Sequence, residues 1–379
     1  MFEPPRCPNP SCAAHIAPSD GCFKRHGSYQ PKCRPHPVPR FLCKLCERSF
    51  SRQTFRADWH DHKPHVNAEL ISRLASGCGL RQTARELGLS VWGVQKKFRK
   101  LAKHLTELHA NLLRPVDVPV AFAFDEAESF EGNRRERPLT VPVVIEQRTM
   151  FVVAACSGTL PARGKRHRRR RNPARAGTRG DAPVDGRRRS ESRRVVAEAL
   201  AQAARMVGPQ ASLEIRTDRK TSYSSLIKAQ FGRRPDGIAR ELEHQQVSSK
   251  APRNTSNPLH RINLTLAMTR DLLGRLRRRS WLHTKRRRYL DLHLGLFACY
   301  RNYVRVRFND ETATPAELLG LLPRRLSIHE LLSWRQDFGP ERSVHPLARY
   351  GESVATWQAP PTNGAEPRRA HRAREAVAS

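Results

Sequence analysis

Acidic residues are scarce: 35 Asp and Glu stand against 70 Lys and Arg, giving a formal charge of +35 over 379 residues. That imbalance exceeds what solubility requires and argues against a generic metabolic enzyme. A polyanion is the economical partner, with nucleic acid ahead of a membrane surface. Long apolar runs are missing too, since none approaches the roughly 18 residues of a spanning helix. Met1 to Pro5 does not open a signal peptide, and no Gly-Lys-Ser/Thr phosphate loop occurs, so secretion and ATP-driven action are not expected. No internal repeat stands out. The tract 163–194 has almost no large apolar residue and holds fourteen Lys or Arg against Asp181, Asp185 and Glu191, so a disordered basic insertion is expected over 162–194. Residues 341–379, polar and without periodicity, read as a disordered tail.

Cysteine, by contrast, is concentrated. Six of nine cysteines fall in the first 46 residues. In a reducing compartment such a cluster points to metal rather than disulfides. Cys7 and Cys12 form one short pair, and Cys43 and Cys46 a second. Two turn-borne pairs can supply the four thiolates of a tetrahedral structural Zn²⁺ without a large core. Cys22, Cys33, His60, His62 and His65 compete for the same role. Residues 1–65 are therefore expected to form a zinc-ribbon-like domain.

From 66 to 110 the apolar spacing becomes helical. Short helices over 69–74 and 80–87, a tight turn at Gly88 and a third helix over 91–105 capped by Ser90 have helix-turn-helix spacing. Gln95, Lys96, Lys97, Arg99 and Lys100 would then face the major groove. The plain alternative is a three-helix packing unit with a solvated basic face.

Residues 118–125 are nearly continuously apolar and end in Asp125, as in a strand buried on both faces. Strands over 140–145 and 150–156, a helix over 195–206, a strand over 211–218 ending in Asp218, a helix around Leu226, a strand over 245–248 and a long helix over 258–279 complete the body. This order is that of an RNase H-like fold over 111–340, with a mixed five-stranded sheet and flanking helices. Asp125 and Asp218 would end adjacent central strands. Two carboxylates there suit paired Mg²⁺ or Mn²⁺ and phosphodiester chemistry. Glu126, next in the strand, must point the other way if the strand continues through it, and is expected as a backup ligand or a partner behind the ligands. The third ligand is expected from the long helix, where His260 and Asn263 share a face and no acid precedes Asp271; Glu243 is a further alternative. Trp281 is expected to pack, and Phe297, Tyr300 and Tyr303 to face a core.

Several of these residues together carry a family resemblance. The segment 41–50 with its cysteine pair, Phe124 to Phe130 around Asp125, Thr217 and Asp218 with Tyr223, the helix from Asn263 followed by 280–285, and 314–320 resemble the DDE-type transposases of bacterial insertion sequences. The resemblance spans about 7–339. It implies a zinc ribbon and helix-turn-helix that bind element ends, and an RNase H-like domain that cleaves and rejoins DNA strands. It further implies Mg²⁺ or Mn²⁺ held by Asp125, Asp218 and, in the register of Arg270, Arg275, Leu276 and Arg278, by Asn263. Arg270 and Arg275 would reach phosphates. Double-stranded DNA, both element ends and target, a homodimer or higher oligomer, and a cytoplasmic place on the bacterial nucleoid are implied as well. The different-class rival is a DNA-binding protein on the same scaffold without catalysis.

Overall fold

A computed structural model describes residues 3–31, 36–116, 118–163, 189–209, 211–248, 250–252, 254–277 and 280–334. Cys33, Arg278, Arg279, most of the basic tract and the tail lie outside the described residues. The chain is mixed α/β.

The head is a three-stranded antiparallel sheet, β1 (Phe23–Tyr29), β2 (Val38–Cys43) and β3 (Ser49–Ser51), preceded by the single turn α1 (Ala13–Ile16). Phe41, Phe50 and Phe55 are buried with Cys7, Cys12, Cys22 and Cys43, and Phe23 meets Phe50 edge-on at 5.4 Å.

Three helices follow: α2 (Asn67–Ala75), α3 (Leu80–Glu86) and α4 (Val91–Leu112). Gly77 and Gly88 turn the chain between them at φ +84° and +58°, values that glycine adopts without steric cost. Ser90 Oγ accepts the Gly93 amide at 3.0 Å and caps α4. The helix runs about two turns further than the spacing over 91–105 indicates. Val94, Phe98, Leu101, Leu105, Leu108 and Leu112 extend one buried stripe along its whole length. That stripe belongs to a continuous apolar cluster reaching from Ala57 to Trp334, so the three-helix segment and the body share one core.

The body sheet has six strands in the order β6-β5-β4-β8-β9, with β7 paired to β5: β4 (Val120–Phe130), β5 (Pro138–Glu146), β6 (Phe151–Ala155), β7 (Gly158–Thr159), β8 (Leu213–Asp218) and β9 (Leu242–Val247). The first three long strands pair antiparallel, and β8 and β9 add in parallel beside β4. The two-residue β7 makes six strands where five were expected. On one face, Phe122 and Phe124 pack with α4, α5 (Ser192–Ala204) and α6 (Thr221–Phe231). On the other, Ala123 and Ala127 pack with α7 (His260–Leu272) and α8 (Arg287–Cys299). A π-helical turn, Tyr300–Val304, and the short α9 (Pro315–Leu318) and α10 (Ile328–Ser333) close the described chain.

The long helix expected over 258–279 stops at Leu272. Leu273 is extended and Gly274 starts a short 3₁₀ turn. A Cβ at Gly274 would lie 2.7 Å from both the Gly77 carbonyl oxygen and Leu282, so the chain leaves the helix where it meets the α2–α3 turn. Phe297 and Tyr303 are buried as their spacing suggests, whereas Trp281 is 92% exposed and does not pack.

Candidate functional site

Four thiols converge in the head. The Sγ atoms of Cys7, Cys12, Cys43 and Cys46 all lie within 4.8 Å of one another, with Cys7 3.5 Å from Cys46 and Cys12 3.8 Å from Cys43. A tetrahedral ion with Zn–S bonds of about 2.3 Å holds its sulfurs about 3.8 Å apart, so the donor set fits a metal such as zinc. The turn that carries the second pair closes through the Glu47 amide to the Cys43 carbonyl, with Glu47 in the left-handed region at φ 55°. Burial pushes the Cys7 thiol up to about 12, while a backbone hydrogen bond at Arg48 is the chief cause that draws Cys46 down to about 7. Of the competing ligands, Cys22 is buried beside the cluster without joining it, the His60 ring lies tilted against Trp59, and His62 and His65 are exposed.

The second candidate lies where β4 and β8 run side by side. Their register pairs Ala121 with Glu214 and Ala123 with Arg216. The same offset carried two residues on sets Asp125 level with Asp218, and strand alternation turns both toward the α7 face. Asp125 Oδ1 accepts the Glu126 amide at 2.7 Å, and Asp218 Oδ1 accepts the Lys220 amide at 3.1 Å. β4 continues five residues past Asp125, so this aspartate is within the strand rather than at its end.

Glu126 points to the opposite face, as alternation requires, and meets a full set of donors. Its carboxylate accepts from Tyr223 Oη at 2.7 Å, Lys220 Nζ at 2.5 Å, Thr140 Oγ1 at 2.5 Å and Ser192 Oγ at 2.9 Å. Burial alone would raise its pKa, but the hydrogen bonds from Lys220, Thr140 and Tyr223 together outweigh it and hold the group ionised below its ordinary range. The Tyr223 hydroxyl is pushed far up, first by burial and then by the charge of Glu126, with Asp218 and Asp125 adding to it. The sequence suggested a backup or outer role for Glu126 but not a hub, because its four donors come from three separate elements, β5, α5 and the start of α6.

Asn263 occupies the first turn of α7 and is half-buried. That turn is tied to the β5–β6 connection: Gln147 Nε2 donates to the Pro258 carbonyl at 3.2 Å, and Arg261 donates to the Arg148 carbonyl at 2.6 Å. Since Gln147 itself donates to the Ala121 carbonyl, α7 begins beside the first residues of β4. Asp125 lies further along the strand.

The basic residues divide sharply. Lys96 and Arg99 are exposed on α4, with the Lys96 ammonium 5.3 Å from the ring of Trp92. Lys97 turns inward instead, donating to the Lys63 carbonyl at 2.8 Å and Asn67 Oδ1 at 2.9 Å and pairing with Asp61 at 3.2 Å. Lys100 also meets Asp61, and burial lowers its pKa. Gln95 donates to Tyr289 Oη at 2.9 Å, so it braces α4 against α8. Arg275 is the plainest correction: its Nε donates to His293 Nδ1 at 2.9 Å, its guanidinium sits 5.6 Å from the Tyr289 ring, and burial draws its pKa down to about 10. It serves the core rather than solvent. Arg270 is half-buried on α7. Val91 and Trp92, exposed at the start of α4, were not singled out in the sequence because apolar residues there read as packing.

No family model and no curated protein matches the chain. Among the described residues, no helix is long and apolar enough to cross a membrane.

Proposed function

We propose that this protein is a DDE-type transposase that binds the ends of a bacterial insertion element and catalyses strand cleavage and strand transfer. One observation carries the reading: the register that pairs Ala123 with Arg216 on adjacent parallel strands, carried two residues on, brings Asp125 level with Asp218, in a sheet whose order, three antiparallel strands joined to two parallel ones, suits an RNase H-like domain. A four-cysteine head and a helical segment with an exposed Lys96 and Arg99 precede it, which suits a zinc ribbon and helix-turn-helix that hold duplex DNA. The charge of +35 favours that partner at every step. The work is assigned to the cytoplasm, on the nucleoid, by a dimer or larger assembly that brings two ends together.

Asp125 and Asp218 would hold Mg²⁺ or Mn²⁺, which supplies activation of the attacking oxygen and stabilisation of the leaving one. Glu126 acts from behind. By binding Thr140 on β5, Ser192 on α5, and Lys220 and Tyr223 at the start of α6, it fixes the strand that carries Asp125 against the loop after Asp218. Water first breaks a phosphodiester at the element end and leaves a 3′-hydroxyl. That hydroxyl then attacks a target phosphodiester, forming the joint and releasing a target 3′-hydroxyl. Asn263 would contribute a neutral oxygen, with His260 as an alternative; Glu243 is level with Glu214 and Ala121, four residues along the sheet from Asp218, and is set aside.

That neutral residue favours a second reading, a DNA-binding protein on the same scaffold without catalysis. Strand transfer of a pre-cleaved element end into plasmid, with Mg²⁺ or Mn²⁺, separates the two. Joining by the wild type that disappears in Asp125→Ala, with DNA affinity kept within a few fold, is the expected result. Equal joining by the variant sinks the assignment, and wild-type binding without joining moves the protein to the second reading.

A further inference from the structure

A cavity of about 340 Å³ opens between the head sheet and the segment that leads into α2. Its wall combines Tyr29 from β1, Arg40 from β2 and the run Asp58, Trp59, His60 and Asp61. The two carboxylates are already engaged. Arg56 reaches both oxygens of Asp58 at 2.7 and 3.0 Å, and Asp61 is shared by Asn67, Lys97 and Lys100. Arg40 is different: its Nε is buried without any hydrogen-bond partner. A guanidinium carries five donors in a planar fork suited to phosphate, and a buried donor left unmet is destabilising. In the same wall, Trp59 is 37% exposed and its ring lies 4.3 Å from the His60 ring, while His60 holds a left-handed backbone at φ 59°. Non-glycine residues in that region are uncommon and mark a constrained turn.

An aromatic ring and a guanidinium whose Nε has no partner line one space of this size, a combination that suits a ligand with a flat ring and an anion. We propose that this cavity binds a single unpaired nucleotide, its base against Trp59 and its phosphate on Arg40. The nucleotide can come from an unpaired position in a DNA strand or from the free pool. Only the first source rests on the DNA-binding reading above.

The full-length protein distinguishes these sources. Affinities would be measured for a duplex with one bulged nucleotide and for the fully paired duplex, alongside photolabelling with 8-azido-dAMP mapped by peptide mass spectrometry. The expected result is a preference for the bulged duplex of about tenfold, the scale of one base–aromatic stack. Trp59→Ala and Arg40→Gln should each remove that preference while leaving zinc content and paired-duplex affinity unchanged. Label should fall on the peptide that contains Trp59 and His60. Labelling there with no binding of either duplex would retire the DNA-binding reading and keep the cavity, with a free nucleotide as its ligand. Equal affinity for the two duplexes with no label at Trp59 or His60, or label confined to another surface, would overturn the proposal.

Discussion

The head buries Phe41, Phe50 and Phe55 around a knot of thiols, whereas the body buries one apolar cluster that runs from Ala57 to Trp334 and a second on the far face of its sheet. Three short strands and a few aromatic rings offset little of the conformational entropy of some fifty residues, so the head has most to gain from the cross-links that a metal on its four thiols would supply. The body needs none. Its β4 is apolar on both faces, and helices cover each side. The difference teaches where the structural boundary falls: it lies near Ala57, ahead of the three-helix segment, because α4 contributes its whole buried stripe to the body.

Removing the metal should separate the two regions most clearly. Structural zinc binding is worth roughly 10–16 kcal/mol in small domains, far more than the head's aromatic contacts. Chelation, or Cys43→Ser, is expected to release amide protection throughout β1–β3 while the body's protection and thermal transition stay close to those of the untreated protein. Hydrogen exchange read by mass spectrometry checks this, and a head that stays protected without metal would erase the contrast.

Acid should act on the body in a way the head does not share. His109 is buried, with its ring nitrogens at 2.9 Å from Tyr303 Oη and 3.0 Å from the Val153 carbonyl. Burial pulls its pKa down to about 4 from an ordinary 6.5. The unfolded chain therefore takes up a proton before the folded one does. Stability from this group is complete above about pH 6.5 and declines as pH falls toward 4, a loss of about 3 kcal/mol. His293, drawn down to about 3 by burial and by Arg275, adds in the same direction. Urea melts at several pH values should show a shallower slope for His109→Gln than for the wild type, and parallel slopes would remove His109 from the account.

The smallest expected effect tests whether α4 belongs with the body. Ser90→Ala removes one cap and should cost about 1 kcal/mol. Exchange should rise in the first turn of α4 and stay low from Leu101 onward, where the helix lies against α8 and β6. Uniform loosening along all of α4 would instead show a helix that folds with its own small domain.

Much of this was legible residue by residue. The cysteine spacing singled out the four thiols that meet, because metal ligands recur in short pairs whatever fold surrounds them. The strands that carry Asp125 and Asp218 could be seen in the sequence, the first as an apolar run, and the alternation that turns Glu126 away from Asp125 follows from strand geometry alone. The cationic face was less readable. Lys97, Lys100 and Arg275 look like solvent-facing positive charges in a chain this basic, yet Asp61, the Lys63 carbonyl and His293 capture them. Their partners lie far away in sequence or in a segment with no regular pattern. Trp281 failed in the other direction, since a lone tryptophan usually packs and this one meets solvent.

Composition, periodicity and spacing determined the strong positive charge, the cysteine pairs that could hold a metal, the helical segment and the apolar strands, since each depends only on residue type and local repeat. Tertiary structure alone decided that α4 joins the body core, that Glu126 rather than its neighbour gathers four donors, that α7 ends where Gly274 meets Gly77, and that Arg40 Nε is left without a hydrogen-bond partner at a cavity that Trp59 also lines. The physical reason is the same in every case: a side chain's charge and shape are written locally, but the groups that satisfy it are chosen by how distant segments pack.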